Sequence, residues 1–294
     1  MHIPVLCEEI KKVLTLKKGD CCIDGTLGAG GYARMMLHEI MPGGILLGCD
    51  RDADAVRALT EEFATQKGNI FLRHANYATI PEILKRARIA CVQGAVLDLG
   101  FSSDQIEDPA RGFSFLHDAP LDMRYDTKEN IPTAADIVRN SSEKALAHIF
   151  LNYGEERFAE RIAETIVHAR KRYHAMTTQN LVDMIARAVP SRYLHQRIHP
   201  ATRAFQALRI AVNHELEYLE TFLENIPRIM CHGGRVAIVS FHSFEDRIIK
   251  HAFQKYARAH MATAITKKPI VPTQEEMRRN PRSRSAKLRG LLWL

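Results

Sequence analysis

A glycine-rich segment follows the first short apolar run of the chain and is the first place where small-molecule chemistry is expected. It reads Asp24-Gly-Thr-Leu-Gly-Ala-Gly-Gly31 and stands between a predicted strand and a predicted helix. Glycine lets the backbone turn tightly and approach a ligand that a Cβ atom would exclude. Gly28, Gly30 and Ala33 also fit the loose glycine pattern of dinucleotide-binding enzymes, but that match is weak by itself. The segment predicts a bound small molecule without deciding which one.

Three carboxylates at the ends of predicted strands narrow the choice of ligand. Asp24 stands where a pyrophosphate would be repelled, whereas the α-amino group of S-adenosylmethionine would be attracted. Asp50 ends the second strand, where a carboxylate can accept hydrogen bonds from both hydroxyls of a ribose, because Asp52 is the better N-cap for the next helix. Asp98 ends the fourth strand, at the edge where open parallel sheets hold their ligands. These positions favour S-adenosylmethionine over a nicotinamide cofactor.

The elements that must position these residues alternate between short apolar runs and amphipathic helical patterns. Four strands are predicted at residues 21–23, 45–47, 70–72 and 95–97. Between the second and third lies a helical pattern at residues 54–63, with apolar side chains on one face. This alternation predicts an α/β fold built on a parallel, Rossmann-like sheet.

After Gly100 the pattern becomes helical. A loop rich in Gly, Asp and Pro runs to about Asp126, and helical periodicity continues to about Val189. One amphipathic helix is predicted from Pro200 through residue 223, then a strand at 235–240, a helix at 245–259 and an extended surface tail. We therefore expect a discontinuous cofactor domain, residues 1–103 and 200–294, and an inserted helical domain, residues 104–199.

The charge of the chain is unevenly distributed. Residues 157–209 contain ten Lys or Arg and three Asp or Glu, and residues 267–294 contain eight and two. These segments carry +7 and +6, which leaves −6 for the rest of a chain whose total is +7. Basic segments attached to an acidic body favour a polyanionic partner such as nucleic acid, although solvated helix faces would look the same.

Several classes of protein are disfavoured by composition. No apolar run approaches the roughly 20 residues of a membrane span, and the first residues lack the features of a secretory signal, so a cytoplasmic protein is expected. The six cysteines show no Cys-x-x-Cys spacing and are predicted to be free thiols. His195 and His199 have no neighbouring cysteine or carboxylate, and no metal is predicted.

Seven motifs in order resemble those of one enzyme family, the bacterial 16S ribosomal RNA cytosine-N4 methyltransferases, and they span nearly the whole chain. The motifs are Asp24-Gly-Thr-Leu-Gly-Ala-Gly-Gly, Asp98-Leu-Gly-Phe-Ser-Ser-Asp-Gln, Arg111-Gly-Phe-Ser-Phe, Pro120-Leu-Asp-Met-Arg, Tyr153-Gly-Glu-Glu-Arg-Phe, His199-Pro-Ala-Thr-Arg-Ala-Phe-Gln-Ala-Leu-Arg and Ser240-Phe-His-Ser-Phe-Glu-Asp-Arg. Seven ordered motifs are far more specific than a glycine loop. The resemblance implies a Rossmann-like class I methyltransferase sheet with a helical domain inserted after the fourth strand.

The resemblance also implies the site residues. S-adenosylmethionine binding is expected at Gly30, Gly31, Tyr32, Asp50, Tyr77, Asp98 and Gln105. Two positions depart from the family pattern, which usually has His in place of Tyr32 and Pro in place of Asp104. Ser102, Ser103 and His242 are the candidates for the wall that faces the substrate base, with a capping role for the histidine as the alternative. No general base is assigned.

The function implied by the resemblance is methyl transfer to the N4 amine of one cytidine of 16S ribosomal RNA, cytidine 1402 in the family, within the small ribosomal subunit. The inserted domain would recognise the RNA, and a homodimer is allowed. A DNA amino-methyltransferase is an alternative, but the chain has no Asp/Asn-Pro-Pro-aromatic motif. A ribosome-assembly factor without catalytic activity and a nicotinamide oxidoreductase are the others.

Overall fold

The computed structural model describes residues 4–66, 68–194, 196 and 198–294, which fold into two compact units. The first unit comprises residues up to Gly100 together with Leu216–Leu294, and the second is Phe101–Glu215. In the described part of the chain, no helix is both long and apolar enough to cross a membrane.

The first unit is built on one sheet of seven strands. In chain order they are β1 Cys21–Asp24, β2 Ile45–Asp50, β3 Asn69–His74, β4 Val92–Asp98, β5 Met230–Ser240, β6 Ala262–Ala264 and β7 Lys287–Trp293. Their order across the sheet is β3-β2-β1-β4-β5-β7-β6; β1 to β5 run parallel to one another, and β7 runs antiparallel to both of its neighbours, β5 and β6. This is the sheet of Rossmann-like class I methyltransferases, and the predicted fold class is confirmed.

Helices cover both faces of this sheet. They are α1 Cys7–Leu14, α2 Gly31–Ile40, α3 Ala53–Phe63, α4 Ile80–Ala87, α12 Glu215–Ile229, α13 Ser243–Arg258 and α14 Gln274–Arg279. Because side chains alternate along a strand, Ile23 of β1 packs in one core with Phe222, while its neighbour Cys22 packs in the other with Met36. Burial on both faces explains why β1 is apolar as far as Asp24. Their carboxyl ends bring Asp24, Asp50 and Asp98 to one edge.

The C-terminal segment is part of the sheet core, and the prediction of an extended surface tail was wrong. Strand β7 pairs with β5 and β6, and its Leu288 and Leu291 are fully buried. The Pro, Arg and Ser that suggested a tail belong to α14 and to a short 3-10 helix at Pro281–Ser285. The apolar residues at the very end of the chain were the signal for a strand.

The second unit is a helical bundle with its own core. Its helices are α5 Ser103–Glu107, α6 Ala134–Asn140, α7 Glu143–Gly154, α8 Ala159–Ala169, α9 Thr178–Ala188, α10 Ser191–Leu194 and α11 Ala201–Asn213. Phe150, Ile162, Leu181 and Leu208 meet in this core. The apolar stripe predicted between residues 145 and 167 therefore lies on two successive helices.

The boundaries of the inserted unit differ from those expected, 104–199. Helix α11 belongs to the second unit, because its apolar face packs in that core through residues such as Phe205 and Leu208. The single helix predicted from Pro200 to residue 223 is divided at His214, whose φ of 51° ends α11 before α12 begins. The apolar spacing continues across this break, so periodicity alone does not reveal it.

Cys91 and Cys231 form a disulfide, although all six cysteines were expected to be free. The two residues are 140 positions apart in the sequence. They are neighbours because Val92 of β4 pairs with Met230 of β5. The spacing of the cysteines gives no sign of this pairing, which depends on two strands meeting across the sheet. The other four cysteines are free, and all but Cys7 are buried.

Candidate cofactor-binding site

The glycine loop between β1 and α2 is shaped by left-handed backbone. Gly28 and Gly30 have φ values of 46° and 79°, which other residues rarely adopt. A Cβ atom on Gly30 would collide with Leu59 at 2.4 Å, whereas one on Gly28 would meet nothing within 4 Å. The loop is therefore packed against the protein at Gly30 and open at Gly28, so its open side can receive a ligand.

Gly31 begins α2 and is required by packing. A Cβ atom there would lie 2.9 Å from Cγ of Pro4, so glycine allows the N-terminal segment to approach the helix. Packing against Pro4 therefore explains why residue 31 is a glycine without any role for a ligand. The cofactor contact expected at Gly31 stays a prediction.

Asp24 at the end of β1 is completely buried. Its Oδ1 accepts a hydrogen bond from the backbone N–H of Thr26 at 3.1 Å, while Oδ2 is buried without a hydrogen-bond partner. The pKa of this carboxyl is raised to about 7, chiefly by burial and also by the negative charge of Asp50, although hydrogen bonds from the backbone N–H groups of Thr26 and Ala33 lower it. A buried acceptor without a partner is costly, and a cationic ligand would satisfy it.

Asp50 holds the glycine loop from the next strand. Its Oδ2 accepts the N–H of Gly28 and its Oδ1 accepts the N–H of Asp52, each at 2.8 Å. Burial raises the pKa of Asp50 as well. The N-cap of α3 is Asp52, as predicted, because its side chain accepts the N–H groups of Asp54 and Ala55. The carboxylate of Asp50 thus fixes the loop and still has free lone pairs for hydroxyl donors.

Asp98 at the end of β4 is the third carboxylate of this edge and is partly buried. Its backbone N–H donates to Thr26 Oγ1 at 2.6 Å, and its Oδ2 lies 3.2 Å from the hydroxyl of Tyr32. Its Oδ1 is buried without a hydrogen-bond partner. The pKa of Asp98 is raised to about 7, chiefly by burial and also by the charges of Asp24 and Glu245, although the hydrogen bond from Tyr32 lowers it.

Tyr77 lies beside the glycine loop at the carboxyl edge. A Cβ atom on Gly25 would come within 3.1 Å of the Tyr77 Cβ, and the tyrosine ring meets Phe222 edge to face at 6.0 Å. This packing fixes the ring next to the loop, where an adenine contact is predicted.

Three further residues with a predicted ligand role follow β4 and lie in the second unit: Ser102, Ser103 and Gln105. The backbone N–H of Ser102 donates to Gln105 Oε1 at 3.0 Å, and the N–H of Gln105 donates to Ser102 Oγ at 3.2 Å. This reciprocal pair caps α5. The side chains of Ser103 and Asp104 lie outside the described part of the structure. A ligand role for Ser102, Ser103 and Gln105 stays a prediction.

His242 is the N-cap of α13. Its Nδ1 accepts the N–H of Glu245 at 3.4 Å, and the carboxylate of Glu245 accepts the N–H of Phe241 at 2.8 Å. Nε2 is buried without a hydrogen bond, although Glu245 Oε1 lies 3.2 Å away. The capping role, which the sequence left as an alternative, accounts for the position of this ring. Its substrate role stays a prediction.

Sequence reasoning missed two contributors to this site. Thr26 joins β1 to β4 through its hydroxyl, and Val5 accepts a hydrogen bond from Tyr32 at 2.6 Å through its carbonyl oxygen. A threonine directly after a strand-end aspartate is a weak signal for the first. No sequence signal identifies a backbone carbonyl at the N-terminus.

The carboxylate acceptors at this edge fit S-adenosylmethionine. The ligand carries a sulfonium and an ammonium group, which suit the unpartnered oxygens of Asp24 and Asp98, and a ribose diol, which suits Asp50. The glycine loop leaves room on its open side. The fold and the site therefore define an S-adenosylmethionine-dependent methyltransferase of class I.

Comparison with known proteins identifies the family. The chain belongs to the MraW methylase family, whose model matches residues 1–292. It is 44% identical over 306 residues to "Ribosomal RNA small subunit methyltransferase H" of Pelobacter propionicus, which covers 99% of this chain and 97% of the relative. A protein of the same name from Cyanothece sp. is 46% identical over 289 residues, with 98% of this chain and 93% of the relative covered.

Proposed function

We propose that this chain transfers a methyl group from S-adenosylmethionine to the N4 amine of a specific cytidine of 16S ribosomal RNA in the small ribosomal subunit. The observation that carries the proposal is the likeness to ribosomal RNA small subunit methyltransferase H over almost the full length of both chains. The methylated atom is proposed from the seven sequence motifs. The buried oxygens of Asp24 and Asp98 that have no hydrogen-bond partner support the cofactor half of the reaction.

Positioning is the main contribution we expect from the protein. The exocyclic amine of cytosine is a poor nucleophile, because its lone pair is delocalised into the ring, and S-adenosylmethionine supplies a methyl group already activated by its positive sulfur. Holding the amine in line with that methyl group therefore accounts for most of the rate enhancement. Asp24 and Asp98 would hold the charged end of the cofactor, and Asp50 would hold the ribose and the glycine loop.

The substrate side of the site is proposed from the sequence. Ser102, Ser103 and His242 would face a cytosine that is presented unstacked. The second unit would recognise the surrounding RNA through backbone contacts and shape. Exposed cations such as Lys171 and Arg172 support this role. The place of action would be the cytoplasm, and the proposed reaction does not require a homodimer.

The test is methylation of small subunits that lack the modification. Purified protein is incubated with labelled S-adenosylmethionine and under-methylated small subunits or naked 16S RNA, and the RNA is digested to nucleosides. We expect label in N4-methylcytidine at one site. The Asp50→Ala variant serves as the control for cofactor dependence.

Other outcomes would contradict the proposal in distinguishable ways. Label on a ring carbon, only on a ribose hydroxyl, or on large-subunit RNA alone would exclude the proposed atom or substrate. Methylation of DNA would favour the amino-methyltransferase alternative. Binding to small subunits with no label transferred would favour an assembly factor.

A further inference from the structure

The side chain of Tyr32 points into the protein. It lies in the first turn of α2 and is 3% exposed. Its hydroxyl is 2.6 Å from the carbonyl oxygen of Val5 and 3.2 Å from Oδ2 of Asp98. The tyrosine hydroxyl thus lies between the carbonyl oxygen of Val5 and the carboxylate of Asp98, which belongs to the candidate cofactor site.

The N-terminal segment, Pro4–Leu6, is fixed at several points. Val5 and Leu6 are buried, and the ring of Pro4 packs against Gly31. The backbone N–H of Leu6 donates to Oε1 of Glu276 at 2.7 Å, so α14 holds this segment from the other end of the chain. The carbonyl of Val5 is consequently presented to Tyr32 by packing that does not involve the cofactor.

The hydroxyl of Tyr32 has one proton for two acceptors. When Asp98 is protonated, its carboxyl can donate to the tyrosine oxygen, and the hydroxyl proton remains on the Val5 carbonyl. When Asp98 is ionised, it competes with Val5 for that same proton. Burial has the largest influence on this competition, because it disfavours the negative charge on Asp98, and the charges of Asp24 on β1 and Glu245 on α13 disfavour it as well.

We propose that Tyr32 is a positioning residue that couples docking of the N-terminal segment, Pro4–Leu6, to the ionisation of Asp98 and thereby to cofactor affinity. Loss of the hydroxyl removes a side-chain donor that stabilises the Asp98 carboxylate and leaves the Val5 carbonyl without its tyrosine partner. The inference rests on the cofactor site described above.

The first test is Tyr32→Phe, measured by titration with S-adenosylmethionine between pH 6 and 9 and by amide hydrogen exchange. A hydrogen bond to a charged group is worth about a factor of ten or more in affinity. We expect binding about tenfold weaker at pH 7, a pH midpoint of binding moved upward, and faster exchange at residues 5–10. The matched control is Tyr256→Phe. The Tyr256 hydroxyl lies in the same unit and donates to the carbonyl of Leu223 at 2.7 Å, rather than to a carboxylate of the candidate cofactor site.

A second pair of variants acts from the far end of the segment. Glu276→Ala removes the acceptor for Leu6 and should also accelerate exchange and weaken binding, whereas Glu276→Gln retains an acceptor oxygen and should behave like the parent. If the parent binds and both Tyr32→Phe and Glu276→Ala match it in affinity, pH midpoint and exchange, the coupling is refuted. Failure of the parent itself to bind S-adenosylmethionine would instead refute the cofactor site.

Discussion

At the residue scale, burial is what distinguishes the carboxylates of this site from the many aspartates on the surface. Asp24 and Asp98 each have one oxygen in a hydrogen bond or close polar contact and one buried oxygen without any. Removing a carboxylate from water disfavours its charge, so each group favours the protonated form until a cation arrives. The pH dependence of S-adenosylmethionine binding should therefore show this preference for the protonated form.

The first residue-scale prediction concerns protons released on binding. Burial raises the pKa of Asp24 and Asp98 to about 7, above the value of about 3.9 for an unfolded chain. Their contribution to the free energy of unfolding is therefore complete below about pH 4 and is lost as the pH rises through about 7. A cationic cofactor needs the ionised form, so S-adenosylmethionine should bind more tightly from pH 6 to pH 8 and release protons.

Calorimetric titration at pH 6.5 in two buffers of different ionisation enthalpy measures that release. Asp24→Asn should release fewer protons, while Asp52→Asn, which alters the partly exposed N-cap of α3, should match the parent. Identical apparent enthalpies in the two buffers would show that neither carboxylate changes its protonation state.

The second residue-scale prediction is that Asp50→Ala weakens S-adenosylmethionine binding at least tenfold. The variant removes the ribose acceptors and frees the N–H of Gly28, and a hydrogen bond to a charged group contributes about 1.5–3 kcal/mol. Asp52→Ala is the comparison, because it should lower the free energy of unfolding by about 1 kcal/mol without changing affinity. An Asp50→Ala protein that folds and binds like the parent would remove this residue from the site.

Several residues of the site could be predicted because each is determined by its position on a strand. Asp24, Asp50 and Asp98 follow apolar runs, and parallel strands bring such positions to one edge. Three other features could not be predicted, because each depends on a partner that is distant in sequence. They are the contact of the Tyr32 hydroxyl with Asp98, the hydrogen bond from the Asp98 N–H to Thr26, and the disulfide of Cys91.

At the element scale, the C-terminal strand shows how composition can hide a core element. Pro, Arg and Ser before β7 suggest disorder, yet the strand lies between β5 and β6. Its charged side chains are accommodated: Arg289 and Lys287 both pair with Asp246 of α13. The strands near the glycine loop could be identified because short apolar runs alternate there with amphipathic helices. No such alternation surrounds β7, whose place in the sheet depends on pairing with strands that are distant in sequence.

The prediction at this scale is that Trp293→Ala lowers the free energy of unfolding by about 3–5 kcal/mol, because it empties a site in the core. Trp293 is buried and meets Tyr256 edge to face at 5.5 Å. Urea unfolding followed by circular dichroism gives the value, and Leu294→Ala, at a half-exposed position, is the control. Equal midpoints for the two variants would indicate a dispensable terminal strand.

At the scale of the whole molecule, charge is concentrated where the RNA is proposed to bind. The total is +7, and residues 157–209 account for as much by themselves. Not every cation there is available, since Arg170 donates to the carbonyls of Val138 at 3.0 Å and Ser141 at 2.6 Å. Its neighbours Lys171 and Arg172 are exposed, so these two are suited to test binding without disturbing the helical core.

The last prediction is that Lys171→Glu combined with Arg172→Glu weakens association with small-subunit RNA but leaves S-adenosylmethionine affinity unchanged. Each lost phosphate contact lowers the slope of log affinity against log salt by roughly 0.7–0.9, so two contacts should lower it by about 1.5. The matched control is Lys85→Glu with Arg86→Glu on α4, an exposed basic pair in the first unit that makes the same change in net charge. If both double variants lower the slope equally, net charge rather than this surface governs the association, and a slope unchanged in both would leave the second unit without a role in phosphate binding at these residues.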